Sequence, residues 1–516
     1  MSGCPTSSRR GVTRRGFLTV AVSAIVAGVV AGVGSYYAGS LAAPVKEVTT
    51  TLERTVRETV TTTLAPGVPV TTTVTTTVTS PITTTVTQKE TITVTKTPEI
   101  KPAPKEIKIG FIQPMTGALA FNGKMAMDAM MIAVDMINRE GGIAGKVKIV
   151  PVLADAKSDP KVAASETERL CTIEKVPVVI GCFGSALMLA ASEVTEKYKI
   201  PGFWTGAITR KAAERGYNYW FHMETLDFRV GESAAQFTEE VIIPKLGMKP
   251  GDVTIVSMHE DGPFGTGVHD GAIAYAKKRG LNVVERVPYS AKETDFSSVI
   301  LKVKAAKPDI IWWTAYPPDM ILICRQAKEL GLKAKAIVGT GGGTATMPSI
   351  KAVGEDFNYI FDVGEEAGSP ETNNIELLTP KLRSVLKEFD ERFRAEHEGM
   401  MAMGLDHDAF GHTYHVLTNI LPKALEDFGG LEPEAIREAA ESTIVQEGYG
   451  STLPSYGYVY APPGHPFKGQ NMWKLWVNPN VAMQYIDLKP YVVWPPKYAV
   501  REPIVPLPPT SPYAAT

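Results

Sequence analysis

From residue 105 onward the chain alternates short apolar runs with helix-period stretches. The apolar runs fall at 107–112, 147–153, 176–181 and 200–204, and the stretches between them, at 124–138, 161–172 and 185–198, carry apolar residues three and four apart. Strands separated by helices of ten or more residues predict βαβ units and a parallel sheet. The pattern pauses near 217–227 and restarts, with strands at 253–258, 283–287, 310–314 and 336–338 and helices between them. Two wound sheets in sequence predict two lobes. Beyond residue 359 the pattern is helical over 380–396, 405–428 and 433–441, and the end, 487–516, is Pro-rich and predicts no core.

The first hundred residues are a different kind of polymer. Arg9, Arg10, Arg14 and Arg15 precede 30 uncharged residues, 16–45. About 20 such residues span a bilayer as a helix, and the arginine cluster sets the N-terminus on the cytoplasmic side. The string TRRGFL at 13–18 resembles a twin-arginine export signal. Residues 1–45 are therefore expected to be a signal or anchor helix. Residues 49–97 hold 23 threonines in 49 positions, punctuated by Pro66, Pro69 and Pro81. With no partner segment in view, 46–104 reads as an extended stalk, which favours a retained anchor and a body tethered to the outer face of the cell membrane.

Composition narrows the function classes. There are 53 Lys and Arg against 55 Asp and Glu in 516 residues, so no basic excess matches nucleic-acid phosphates. Four cysteines are too few for a disulfide scaffold. Cys171 and Cys182 are placed at opposite ends of a strand and its antiparallel helix, about 15–20 Å apart and beyond disulfide reach.

Candidate chemistry follows from topology. In a parallel sheet, ligands bind beyond the carboxyl ends of the strands, where helix N-termini offer N–H groups and positive dipole. Gly184 and Ser185 sit at such a point; the alternative for Ser185 is a plain helix cap. Trp204 also ends a strand, whereas Trp312 and Trp313 are adjacent and point to opposite sheet faces. Enzyme signatures are weak: GTGGG at 339–343 fails the G-x-G-x-x-G spacing, and there is neither a G-x-S-x-G elbow nor a P-loop lysine. Asp408, His412 and His415 share one helix face, so a metal-dependent hydrolase is kept as an alternative.

An ordered set of strings carries a resemblance. IKIG at 107–110, PMTG at 114–117, AVDMIN at 133–138, GGIAG at 141–145 and SDP at 158–160 are followed by FGTG at 264–267, TDFS at 294–297, KPDI at 307–310 and KELGL at 328–332. This set resembles the type I solute-binding proteins of ABC importers, in the branched-chain amino-acid and amide-binding group. The resemblance implies an α/β clamp of two doubly wound lobes joined by three crossings, near 224–228, 361–366 and after 450. Lobe 1 would comprise 105–226 and 363–460, and lobe 2 would comprise 227–362 and 461–486, with 487–516 a tail. It further implies a non-enzymatic binder with no cofactor, capturing a small polar solute (amino acid, amide or small carboxylate) and presenting it to permease subunits. A ligand-sensing receptor ectodomain is the other non-enzymatic alternative.

For the site, Phe121 and Phe264 correspond to family tyrosines, Tyr316 keeps its hydroxyl, and Gly206 is similar to a position that binds through its backbone. The family threonine falls at Ile208 in an ungapped alignment, and at Thr209 only with a shift of one. The family acid that holds a ligand ammonium is missing from the loop ending at Gly343. Glu224 and Glu365 or Glu366 are the candidates to replace it, with hinge pairing or solvation as the plainer role for each.

Overall fold

The computed structural model describes residues 56–63, 69–76, 102–364, 369–473, 475 and 480–515. The expected anchor, 1–45, and the candidates Glu365 and Glu366 lie outside them. Among the described residues no helix is long and apolar enough to cross a membrane. In the Thr-rich tract, β1 (Val56–Thr63) pairs antiparallel with β2 (Pro69–Thr76), Val56 opposite Thr76 and Thr63 opposite Pro69. Over these residues the tract does have a partner segment, contrary to expectation. Both runs are rich in β-branched residues, and the sequence between them carries Pro66 and Gly67, which suit turns.

The first body sheet is parallel throughout. It contains β3 (Glu106–Gln113), β4 (Lys148–Asp155), β5 (Val179–Gly181), β6 (Gly202–Trp204) and β7 (Trp220–His222), in the order β4-β3-β5-β6-β7. Strand periodicity sorts β3 onto two cores: Ile109 and Phe111 join one buried cluster and Ile112 the other. Helices α1 (Ala120–Arg139), α2 (Pro160–Thr172) and α3 (Ser185–Tyr198) form the crossovers. The start of α2 is encoded locally, because Asp159 accepts hydrogen bonds from the backbone of Lys161 and Val162 while Pro160 takes the first helical position.

After β7 the chain crosses into α4 (Asp227–Phe237) and a second sheet. Strands β8 (Ile255–Glu260), β9 (Val283–Tyr289), β10 (Ile310–Thr314), β11 (Ala336–Gly339) and β12 (Phe361–Val363) run parallel in the order β9-β8-β10-β11-β12. Helices α5 (Pro263–Arg279), α6 (Ser297–Ala305) and α7 (Pro317–Glu329) connect them. Helices α4 and α5 touch through glycine: a Cβ on Gly231 would lie 1.8 Å from the Val268 carbonyl oxygen, and one on Gly271 2.1 Å from that of Phe228. Only hydrogen at these positions permits such an approach.

The chain then returns to the first lobe as α8 (Pro380–Glu396), α9 (Leu405–His415), α10 (Leu421–Asp427) and α11 (Pro433–Glu441), burying Phe389, Phe410 and Leu417 against α1. The helix expected over 405–428 widens at Val416–Ile420 before Pro422 resumes the α geometry. A small antiparallel pair, β13 (Ile444–Val445) and β14 (Tyr458–Val459), follows.

Two expectations at the C-terminal end are corrected. The first-lobe return runs beyond 460, since Ala461, Met472 and Leu475 lie in a first-lobe core cluster. The Pro-rich end is structural: β15 (Ala482–Ile486) and β16 (Lys489–Trp494) extend the second sheet antiparallel beyond β12. Tyr498, Leu507 and Tyr513 are buried in its core, and the Tyr513 hydroxyl donates to the Cys324 carbonyl at 2.9 Å. Prolines here shape the covering strands and loops, and the aromatics between them supply the apolar bulk that composition alone undervalued. Tyr513→Ala is expected to cost about 3 kcal/mol through the cavity it leaves, measurable as a lowered urea midpoint at unchanged m-value.

Candidate functional site

The carboxyl ends of both sheets face one cavity between the lobes. From the first lobe its wall takes Phe183, Gly184, Ser185, Gly206, Ala207, Ile208, Glu224 and Thr225. From the second it takes Val230, Phe264, Tyr316, Thr340, Gly341, Gly342 and Gly364. The lobes meet around it: Tyr316 packs edge-on against Phe183, ring centroids 6.1 Å apart, and lies 5.4 Å from Phe264. Outside the cavity, Arg210 of the first lobe reaches Asp270 on α5 at 3.2 Å. A half-exposed pair of this kind adds little energy.

Ser185 opens α3 without capping it. The cap is Gly184, at φ +93°, and no side chain bonds the first turn. The helix therefore presents unfilled N–H groups and the serine hydroxyl to the cavity. The corresponding position in the second lobe is closed, because the Glu260 carboxylate accepts from the N–H groups of both Gly262 and Gly265 at the start of α5. Gly206 lines the wall, but its own polar groups are used internally. Its N–H donates to Glu224 at 2.8 Å and its carbonyl accepts from Gly184 N at 3.1 Å.

Glu224 is the one charged side chain in the wall among the described residues, and it is buried. Oε1 accepts from Thr205 Oγ1 and Gly206 N, both at 2.8 Å, and lies 3.4 Å from His412 Nδ1. Oε2 accepts from the Tyr456 hydroxyl at 3.3 Å. Burial opposes ionisation, but His412 and the Gly206 N–H hold the carboxyl below its usual range, so it is charged near neutrality. His222 is pushed the other way: burial lowers its pKa, and its ring nitrogens face Gln470 Oε1 and the Ala207 carbonyl.

Several expected residues sit elsewhere. Phe121 falls in the first turn of α1, which starts earlier than the sequence suggested, and it points outward at 47% exposure; Phe183 supplies that wall. Gly343 is one step behind the surface, its N–H bonded to the Ala315 carbonyl at 2.8 Å, and Gly341 and Gly342 take its place. Gly342 has φ +59°, and a Cβ there would meet the Ala315 carbonyl oxygen at 2.6 Å. Thr209 is buried behind Ile208. Trp204, Trp312 and Trp313 are core residues; the last two donate to Thr238 and Tyr289 on opposite faces of the second sheet.

The metal alternative is not supported. Among the described residues no group of three or more His, Cys, Asp or Glu side chains is arranged to hold an ion. His412 turns to Thr205 and Glu224, and His415 stacks on Tyr458 at 3.5 Å between centroids. Cys171, Cys182 and Cys324 are free thiols, the last two buried and Cys171 half-buried.

Thr225, Thr340 and Phe183 were not singled out from sequence, although each directly follows or precedes a residue or strand end that was. Tyr456 had no signal at all: it lies in a Pro/Gly-rich segment without periodicity.

Behind Tyr316, Asp319 is buried, accepts from the Tyr289 hydroxyl at 2.7 Å, and is pushed up by burial to about 7. A raised carboxyl favours the folded state below its ordinary pKa of 3.8. That contribution is lost as pH rises through about 7. Asp319→Asn should remove up to about 4 kcal/mol of this pH dependence. The measurement is stability against urea at pH 4 and pH 8, and an unchanged slope would contradict the assignment.

Comparison with known proteins agrees with this architecture. Residues 106–454 match the family model described as periplasmic binding protein. The chain is 30% identical over 387 residues to Leu/Ile/Val-binding protein homolog 7 of Brucella abortus, covering 75% of this chain and 93% of that one. A branched-chain amino-acid transporter substrate-binding protein from Streptococcus pneumoniae, solved with isoleucine, superposes with a TM-score of 0.60 at 23% identity, over 76% of this chain and 100% of its own. An ABC-transporter solute-binding protein from Rhodopseudomonas palustris, solved with benzoate, gives 0.58 at 16% identity, over 75% and 95%. With two wound lobes closing on a cavity at their strand ends, the chain belongs to the periplasmic binding protein family, in its leucine-binding-protein-like branch.

Proposed function

We propose that this protein is the extracytoplasmic solute-binding component of an ABC importer. It captures a small polar solute of amino-acid, amide or carboxylate type by hinge closure and presents it to permease subunits. The observation that carries this reading is the cavity itself: enclosed by both lobes, walled mainly by apolar and glycine residues, and supplied with one uncapped helix N-terminus and one ionised carboxylate. Such a site binds and orients a solute. Among its described residues none pairs a nucleophile with a base.

The relatives support the range of solutes. One similar protein was solved with isoleucine and another with benzoate, and both molecules carry a carboxylate that suits an open helix N-terminus. The N-terminal residues support a tether. The arginine cluster and the uncharged run 16–45 read together as an anchor helix in the cell membrane.

Native mass spectrometry of the protein purified without refolding is expected to show a small molecule at one per chain. A thermal-shift screen should find a ligand that, at 100 times its Kd, adds about 2.7 kcal/mol of stability. A ligand-free protein unmoved by amino acids, amides and aromatic acids would count against the importer reading. For the tether, the mature protein should stay with membranes after carbonate extraction and still contain residues 16–45; a soluble mature chain lacking them would remove the anchor.

A further inference from the structure

The two lobes contribute to the cavity unequally. In lobe 2 three of the polar sites near the wall are bonded within that lobe. Gly341 N donates to Asp362 at 2.7 Å, Thr340 pairs with the Thr314 hydroxyl, and the first turn of α5 is filled by Glu260. What lobe 2 leaves facing the solute is the Tyr316 ring and hydroxyl with Val230, Phe264 and glycine backbone. Lobe 1, in contrast, leaves both kinds of polar group open. At Ser185 it offers donors, the unfilled N–H groups of a 14-residue helix.

At Glu224 lobe 1 offers acceptors. The carboxylate's Oε1 faces three protein groups, Thr205, Gly206 and His412. Its Oε2 has, among the described residues, only the long 3.3 Å contact from Tyr456, although an ionised oxygen has room for about two donors. Beside it the Thr225 hydroxyl is buried in the wall with no partner among the described residues. Among the described residues no lysine or arginine lines the cavity. A buried anionic oxygen with spare lone pairs, faced by neither lysine nor arginine in the described wall, is costly unless the solute supplies the donors.

We propose that Glu224 is the residue that selects a cationic amine on the solute, and that lobe 1 alone holds both polar ends, amine at Glu224 and oxygen end at Ser185, while lobe 2 closes as an apolar lid. His412 is a positioning residue, acting through Oε1 of Glu224 and not touching the solute. The inference rests on the solute-binding reading and narrows it to amine-bearing solutes with a carboxylate or carbonyl at the other end.

The test is calorimetric titration of the full chain, stripped of ligand by unfolding and refolding, with matched pairs. The probes are L-leucine against 4-methylpentanoate and L-phenylalanine against 3-phenylpropanoate. The wild type should bind at least one amino acid 10-fold or more tighter than its deaminated partner. Glu224→Gln should bring that ratio within about three-fold, whereas Phe264→Ala should weaken both members of a pair and leave the ratio standing. Reading a ratio removes any general loss of affinity. If the glutamine variant does not fold, Glu224→Asp, which withdraws the charge by one methylene, should also reduce the ratio. A deaminated acid that binds wild type as tightly as the amino acid, or a ratio unmoved in the Glu224 variants, overturns the proposal while leaving the solute-binding function intact. No binding of any of the four probes by wild type overturns the proposal, and the solute-binding reading falls only if the wider screen of amino acids, amides and aromatic acids also finds no ligand.

Discussion

A carboxylate buried where two lobes meet has to be answered by donors, and the answer given to Glu224 ties the first lobe together. Thr205 and Gly206 come from the turn after β6, Glu224 follows β7, His412 belongs to α9, and Tyr456 lies in the segment before β14. Two strand ends, a helix of the returning chain and a late loop thus converge on one anionic group. The energetic logic is asymmetric: such a network contributes modestly when complete, and loss of one partner strands a buried charge. It also explains why the returning helices are held at the strand ends, where the solute must sit.

The clamp's second half is organised by packing. Helices α4 and α5 approach through Gly231, Gly267 and Gly271, close enough that the Asp227 carboxylate fills the place of a Cβ on Gly267. Asp227 begins α4 where the chain leaves the first lobe, so the first crossing is packed directly against the lid helix. Burial pushes that carboxyl up to about 6, opposed by the backbone N–H groups of Arg210 and Phe228. Lid and hinge are therefore parts of a single packed interface.

Much of this was legible in the sequence because the signals were local. Alternating apolar runs marked β3 to β6 and β8 to β11, and the helical period over 161–172 marked α2. The rule that parallel sheets bind ligands at strand ends picks out Gly184 and Ser185, and both line the cavity. What escaped depends on contacts distant in sequence. Phe121 was misplaced by a few residues at a helix start, which rotated it to the surface. The shared face of Asp408, His412 and His415 was real, but whether His412 meets a metal or a glutamate is decided by Glu224, far away in the chain. The Pro-rich end looked like a tail because β15 and β16 find their pairing in β12, about 120 residues earlier.

That last pairing has a consequence for the order of assembly. The first sheet closes with strands that lie within residues 106–222, whereas the second waits for 482–494 to pair with 361–363 and for Tyr513 to reach Cys324. Its contacts span long stretches of chain, which slows folding and leaves strand edges open meanwhile. A chain threaded outward from its N-terminus would therefore have its first sheet able to form while the second lobe still exposed the edge of β12, and the aromatic-rich end is what finally covers it.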